Sequence, residues 1–219
     1  MTITNLKFLI PGEYWPPPEE AERFQRYEEN RLLFEAKHQF VYKDWFKALR
    51  EDQQATLEII FNWHKRLSTL WGDLLLGEPP RFESDPKGAI EDYTDDVFLN
   101  NCYMISLDIS RFGDGIFSVN KRDGKWIIEP TTPRVWIPVV AIDNAQHIKH
   151  HVLGWVINKY DHKGNEKFYL RATIHHKGLI ENKLFELKQN HETNAGSYVI
   201  GQELELRVIE DFADVEPII

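Results

Sequence analysis

Five histidines supply the side chains with the clearest potential for chemistry. His147, His150 and His151 lie in one short segment, and His175 and His176 end a predicted strand. Neutral imidazoles are common metal ligands. The spacing argues against a metal site, because there is no HExxH motif, no acid separates the first three histidines, and adjacent strand residues point to opposite faces. We keep one function for these histidines as an alternative to the interpretation developed below: a ligand- or metal-dependent enzyme of unrecognised type.

The stretch 112–126, FGDGIFSVNKRDGKW, contains a Gly-x-Gly step and several charged residues, which also occur together in nucleotide-binding loops. A phosphate-binding loop follows a strand and opens a helix, because the amide groups and the dipole at the helix N-terminus converge on the anion. Here a predicted helix precedes Gly113 and a predicted strand follows Gly115. We therefore interpret the stretch as a helix-to-strand turn followed by a hairpin.

Four acids and one thiol complete the candidates for catalysis. Glu91, Asp92, Asp95 and Asp96 would suit a divalent cation or paired carboxylates, but they precede and enter a predicted helix, whose dipole favours negative charge there. Cys102 falls on the apolar face of that helix, where a buried thiol is inert. No Gly-x-Ser-x-Gly motif is present. We assign no catalytic, cofactor-binding or metal-binding residue and expect no enzyme.

Three helices are predicted before residue 113. The first follows the prolines at 16–18 and runs to about His38, and its many charges predict a peripheral position. The third begins after Thr94, which can cap it, and ends at Gly113. Its apolar face consists of Phe98, Cys102, Ile105, Ile109 and Phe112.

The second helix has the strongest helical periodicity and is predicted to be a core element. It ends at Gly77, because glycine can take a left-handed cap and the two prolines at 79–80 forbid continuation. His64 lies within its apolar stripe and is interpreted as a hydrogen-bonded core histidine. The stripe consists of Leu57, Ile60, Phe61, His64, Leu67, Trp71, Leu74 and Leu75.

From residue 113 onward the pattern is typical of short antiparallel strands. Asp123-Gly124 predicts a hairpin turn, and the later turns are rich in glycine and polar residues. The sequence predicts an α+β fold in which N-terminal helices, residues 1–112, pack on a mainly antiparallel, meander-rich part, residues 113–219. Strands are predicted at 116–121, 125–129, 135–140, 152–160, 167–175, 179–187 and 204–209, with a loop at 190–196.

Composition narrows the function class. The net charge of −9 and a pI near 5.5 argue against tight DNA binding, which needs a surplus of Lys and Arg. The apolar run at 8–10 is too short for a signal peptide, and no stretch suits a membrane span, so we expect a soluble protein that is intracellular, at least where it is made. Tryptophan is abundant, notably at Trp15, Trp45, Trp63 and Trp71. These side chains could line a ligand pocket, but large aromatic residues also anchor subunit interfaces, and we favour a role in assembly.

Two stretches resemble the portal proteins of tailed bacteriophages. The first is 67–82, LSTLWGDLLLGEPPRF, and the second is 112–139, which continues from the Gly-Asp-Gly turn through the hairpin to PRVWIPV. The meander at 152–187, including GLIENKLFEL at 178–187, is similar to the strands of the portal wing. Together these stretches cover most of residues 40–190.

The resemblance implies a structural subunit of a ring, usually a dodecamer, at the capsid vertex. DNA would be packaged and ejected through the channel of this head–tail connector, without tight binding and without a cofactor. The implied partners are further copies of the chain, the major capsid and scaffolding proteins, terminase and a head–tail adaptor, with no membrane. The implied location is the virion, after assembly in the host cytoplasm.

Portal subunits continue into a stem, a clip and a crown, which are not present before Ile219. We therefore expect a fragment, the ordered part of a longer chain, or a shortened relative that keeps the wing. A peptide- or protein-binding adaptor remains a third interpretation, and it differs from a portal subunit mainly in symmetry.

Overall fold

The computed structural model describes residues 2–53, 62–78, 96–122, 125–160, 164–190 and 198–205, and it has the predicted α+β class with a mainly antiparallel sheet. The helices are α1 (Ala21–Phe34), α2 (His38–Val41), α3 (Lys43–Lys47), α4 (Trp63–Leu76) and α5 (Asp96–Phe112). The strands are β1 (Tyr14–Trp15), β2 (Ile116–Arg122), β3 (Lys125–Thr131), β4 (Trp136–Val140), β5 (Ile148–Tyr160), β6 (Glu166–His176), β7 (Leu179–Gln189) and β8 (Tyr198–Leu204).

The chain divides into two compact units. The sheet unit comprises residues 1–23 and 135–219, and the helical unit comprises residues 24–134. The sequence placed a boundary at 112/113, where the helical pattern gives way to strands. The structure differs because β1 pairs with β8, which brings the N-terminal segment into the sheet unit, whereas the β2–β3 hairpin packs on α5.

The sheet unit is built on a six-stranded antiparallel sheet in the order β1-β8-β7-β6-β5-β4. Alternation along paired strands gives it a face with fully buried aliphatic and aromatic side chains. In the β5–β6–β7 register, Val152 faces Ile174 and Leu170 faces Phe185, and each of the four is at most 1% exposed. This face is the core of the unit.

The N-terminal segment contacts both edges of this sheet. The carbonyl oxygen of Ile3 accepts a hydrogen bond of 2.9 Å from the Val140 amide of β4, while β1 pairs with β8 at the opposite edge. Between them the Trp15 ring lies against Gly154 of β5, where any Cβ would overlap it. The segment therefore crosses the core face and buries its own apolar side chains, which are Ile3, Phe8, Leu9 and Trp15.

Helices α4 and α5 of the helical unit approach each other through small residues. Ser68 and Gly72 of α4 are buried, and a Cβ on Gly72 would lie 2.8 Å from the ring of Tyr103. The Tyr103 hydroxyl donates to Asp73 Oδ1 at 3.0 Å. On α5, Asn101 Nδ2 donates to the Ile128 carbonyl of β3 at 2.7 Å, which joins the hairpin to the helix.

The glycine turns behave as predicted. Helix α5 ends at Gly113, whose φ of 86° is left-handed, and β2 begins at Ile116. Gly178, with φ 80°, turns β6 into β7. Pairing of Arg122 with Lys125 confirms the first hairpin, although the turn residues at 123–124 lie outside the described residues.

Some predicted boundaries differ from the structure or lie outside it. The first helix ends at Phe34 rather than His38, and Ala36 then adopts a φ of 62°. Strand β5 starts at Ile148, four residues earlier than expected. Strand β8 was not expected at 198–203, and residues 206–209 of the strand predicted at 204–209 lie outside the described residues. Most of the loop at 190–196 lies outside the described residues. In the described parts of the chain, no helix is long and apolar enough to cross a membrane.

Candidate functional site

Helix α4 exposes its large apolar side chains to solvent. Leu74 is 76% exposed, and its neighbours on the same face are about half exposed. The spacing i, i+4, i+7, i+8 and i+11 places these side chains on one side of a helix. We call this surface the α4 stripe and define it as Trp63, Leu67, Leu70, Trp71 and Leu74.

The stripe contradicts the prediction that α4 is a core element. Leu67, Trp71, Leu74 and Leu75 were expected to be buried, but all four are exposed, whereas Ser68 is only 3% exposed. Periodicity placed Leu67, Trp71 and Leu74 on one face, as observed, but it did not include Trp63 and Leu70. The face covered by α5 is the other one, because its small residues allow the two helices to approach closely. The predicted core residues Leu57, Ile60 and Phe61 lie outside the described residues.

Two polar side chains of α4, Thr69 and Arg66, are engaged within the helix. The Thr69 hydroxyl donates to backbone carbonyls of the preceding turn, with distances of 3.0 Å to both Lys65 and Arg66. The Arg66 guanidinium carbon lies 5.8 Å from the centroid of the Trp63 ring. The stripe therefore presents mainly apolar surface, with a cation at its N-terminal end.

His64 packs against Phe34 of α1. Its ring meets Phe34 edge-on, with centroids 6.5 Å apart, and its Nδ1 is buried without a hydrogen-bond partner among the described residues. Burial lowers the pKa of His64, and the charges of His38 and Arg111 lower it further. The predicted hydrogen bond of a core histidine is therefore not found at Nδ1.

A second exposed apolar surface of the helical unit lies on the hairpin. Phe117 and Val119 of β2 are about half exposed and, being two residues apart on one strand, share a face. The root of the hairpin is packed differently, because a Cβ on Gly115 would overlap Ile109 of α5. The hairpin thus exposes the apolar pair Phe117 and Val119 on a strand that begins directly after Gly115, which packs against α5.

Four of the five candidate histidines meet at the paired ends of β5 and β6. His151 is the cross-strand neighbour of His175, so the adjacent pair, His150 and His176, lies on the other face, as strand alternation predicts. His147 lies in the preceding loop, where its carbonyl accepts from the Ala141 amide. The histidines form two pairs on opposite faces.

The His150–His176 pair is held by direct contact. Their Nδ1 atoms lie 3.0 Å apart and their ring centroids 4.6 Å apart, and His176 Nε2 lies 3.5 Å from Glu181 Oε1. Burial lowers the pKa of His150, and the charges of His176 and Lys149 lower it further against the opposing charge of Glu181. A neutral pair of this kind forms one hydrogen bond, in which one Nδ1 donates and the other accepts.

The opposite face has a different arrangement. Trp136 Nε1 donates to His151 Nδ1 at 3.2 Å, and the two rings are stacked. The Arg23 guanidinium lies over the Trp136 ring. It also donates to the Trp136 carbonyl at 2.6 Å and pairs with Glu20 at 2.5 Å. Burial lowers the pKa values of His151 and His175. The contacts with Trp136 fix the His151 ring in the packing of this face, beside its cross-strand neighbour His175.

The structure does not gather the histidines around a cation position. No group of three or more His, Cys, Asp or Glu side chains with metal-binding geometry occurs in the described ranges. Sequence reasoning missed Glu181 and Trp136 as partners. The spacing of His176 and Glu181 across the Lys177-Gly178 turn was a usable signal, because residues placed this way in a tight hairpin share a face.

The remaining candidates keep ordinary roles. Burial raises the pKa of the Cys102 thiol, which favours its unreactive protonated form. In the Gly-x-Gly step, the Asp114 carboxylate accepts a hydrogen bond from the Tyr27 hydroxyl, so it serves packing in the helical unit. Of the four acids, Glu91, Asp92 and Asp95 lie outside the described residues, and Asp96 begins α5.

No protein-family model matches the chain, and no curated protein matches it.

Proposed function

We propose that this chain is the N-terminal and wing region of a tailed-bacteriophage portal subunit. The single observation that supports the proposal is the order of elements around the motifs. Helix α4 contains the WGDLLL run and ends at Leu76, α5 enters the Gly-Asp-Gly turn at Gly113, the β2–β3 hairpin follows, and β4 carries the WIPVV segment. The β5–β6–β7 meander completes the series in the order that portal subunits have.

The α4 stripe supports a role in assembly rather than in chemistry. Large contiguous apolar patches on protein surfaces mark interaction sites. Aromatic residues are also enriched at such sites, and the stripe contains Trp63 and Trp71. A ring subunit, which must contact neighbours on both sides, needs surfaces of this type.

In this role the chain forms a ring, usually dodecameric, at the portal vertex of the virion, after assembly in the host cytoplasm. Its partners are other copies of itself, the major capsid and scaffolding proteins, terminase and a head–tail adaptor. Double-stranded DNA passes through the channel during packaging and ejection. The net charge of −9 is compatible with such passage, because an acidic wall does not hold phosphates.

Electron microscopy of the gene product that contains this chain tests the proposal. We expect twelve-fold rings with a central hole. The matching genetic test removes the gene from its phage, and we expect capsids that lack packaged DNA. A gene product that stays monomeric in solution and is dispensable for packaging would overturn the proposal.

A further inference from the structure

We infer that the α4 stripe binds a second copy of this chain and forms a subunit contact of the ring, an inference that rests on the proposed portal function. The first argument is the reversal of burial on α4. Ser68 and Gly72 are buried against α5, while Leu67, Leu70 and Leu74 face solvent. A surface helix normally turns its large apolar side chains toward the core.

The size of the stripe fits a subunit contact. The exposed fractions of its five side chains correspond to apolar surface on the order of 600 Å², at the upper end of what monomeric proteins expose. A standard protein interface buries about 800 Å² on each partner. The stripe alone would therefore supply most of the area that one side of a standard contact buries.

Ring symmetry determines what the stripe must meet. A closed ring of more than two subunits needs a heterologous contact, in which one surface of a subunit binds a different surface of its neighbour. The hairpin of the same unit offers such a surface in Phe117 and Val119. We assign the hairpin face of the neighbouring copy as the partner of the stripe.

Net charge distinguishes a second copy from a basic partner. Two chains that each carry a charge of −9 repel each other, and salt screens that repulsion. Apolar contact between copies should therefore strengthen as salt is added. Binding of a basic protein or of any partner attracted by charge should weaken under the same conditions.

The first experiment uses the gene product that contains this chain, with the variant Leu70→Lys/Leu74→Lys. Lysine keeps helix propensity close to that of leucine, and both positions are exposed, so the far-ultraviolet circular dichroism spectrum of the folded variant should match that of the wild type. Sedimentation velocity should show loss of rings, or about a tenfold or larger increase in the concentration needed for association. The matched control is Ile142→Lys in the sheet unit, where an 83% exposed side chain is replaced and rings should persist.

The second experiment locates the acceptor surface. In a Cys102→Ser background, the pair Leu70→Cys and Val119→Cys should form disulfides between copies under mild oxidation. A heterologous contact gives a ladder of cross-linked oligomers, and each single-cysteine variant should give far less. Leu70→Cys that cross-links efficiently by itself shows a symmetric contact and overturns the assignment of the hairpin.

The outcomes separate the inference from the proposed function. Wild-type rings that persist in Leu70→Lys/Leu74→Lys overturn the inference and leave the portal function standing. Wild-type oligomers that are not rings, but that dissociate in the variant, overturn the portal function and keep the contact between copies. A wild-type protein that stays monomeric, or whose association weakens with salt, overturns the second copy as occupant of the stripe.

Discussion

The Nδ1 atoms of His150 and His176 lie 3.0 Å apart across the β5–β6 pair. At this distance one nitrogen must donate and the other must accept, which requires that at least one imidazole is neutral. Protonation of both rings would place two donors and two positive charges against each other. The hydrogen bond that joins the start of β5 to the end of β6 therefore depends on pH.

The first prediction is a loss of stability of the sheet unit in mild acid. The folded-state pKa of His150 is lowered below its ordinary value of 6.5, so the unfolded chain binds more protons as the pH falls through that region. The contribution is fully present above about pH 6.5 and decreases below it. Thermal unfolding followed between about pH 7.5 and pH 5.5 should show a falling melting temperature.

The control for this prediction is His150→Gln/His176→Gln, which removes both imidazole rings. Its melting temperature should depend less steeply on pH. Some dependence should remain, because burial also lowers the pKa values of His64, His151 and His175. An unchanged slope in the variant would show that the His150–His176 pair does not contribute.

The second prediction concerns metal. The histidine pairs lie on opposite faces of the sheet, and in the described residues no group of three or more His, Cys, Asp or Glu side chains could hold a metal ion. Saturating zinc should therefore leave the melting temperature unchanged, because a ligand stabilises only a state that binds it. The measurement is a thermal shift with and without zinc, with His150→Ala/His151→Ala as the control. Stabilisation that disappears in this variant would revive the alternative of a metal-dependent function.

The third prediction tests the crossing of the N-terminal segment over the core face. Gly154→Ala places a methyl group into the Trp15 ring and should lower the free energy of unfolding by about 1–3 kcal/mol, as overpacking does. Urea denaturation measures the effect. Trp15→Phe provides room for the methyl group, so the two substitutions should be non-additive in a double-mutant cycle. Additive costs would indicate that the two residues are not in contact.

The fourth prediction tests the buried ion pair of α5. Arg111 donates to Asp108 at 2.5 Å and lies over the rings of Phe34 and Phe112. Burial raises the pKa of Asp108, and Arg111 opposes that rise. Arg111→Ala leaves the carboxylate buried without this partner and should cost about 3 kcal/mol at neutral pH.

The cost of Arg111→Ala should become smaller as the pH falls, because a protonated Asp108 carries no charge to compensate. The matched control is Arg50→Ala, which removes the exposed Arg50–Asp52 pair and should change stability by less than about 1 kcal/mol. Equal effects of the two substitutions in urea denaturation would contradict the prediction.

Features determined by local backbone chemistry were predictable from the sequence. The helix ends beside Gly77 and Gly113 and the hairpin turn at Gly178 were predicted, but the left-handed cap occurs only at Gly113, because Gly77 keeps a right-handed φ of −65°. Glycine allows left-handed backbone, and proline forbids helix continuation, so these signals act within a few residues. The antiparallel order of β5, β6 and β7 followed because short turns join them.

Features that depend on distant contacts were not predictable in this way. The stripe of α4 was recognised as one face, but periodicity does not say which neighbour covers it, and α5 covers the face of Ser68 and Gly72 instead. Strand β1 has two residues and was missed, because its pairing with β8 has no local signal. For the histidines, alternation predicted the faces, while the cross-strand register supplied the partners.

The position of the N-terminal segment has a consequence for the order of folding. Tyr14 and Trp15 pair with Val199 and Tyr198, so the first strand of the sheet unit acquires its edge partner only after nearly all of the other strands have been synthesised. The helical unit, residues 24–134, is complete much earlier on the ribosome. Contacts of such high sequence separation form slowly, because a long loop must be closed first. Until β8 has been synthesised, the newly made chain cannot form the pairing of β1 with β8 that fixes this edge of the sheet.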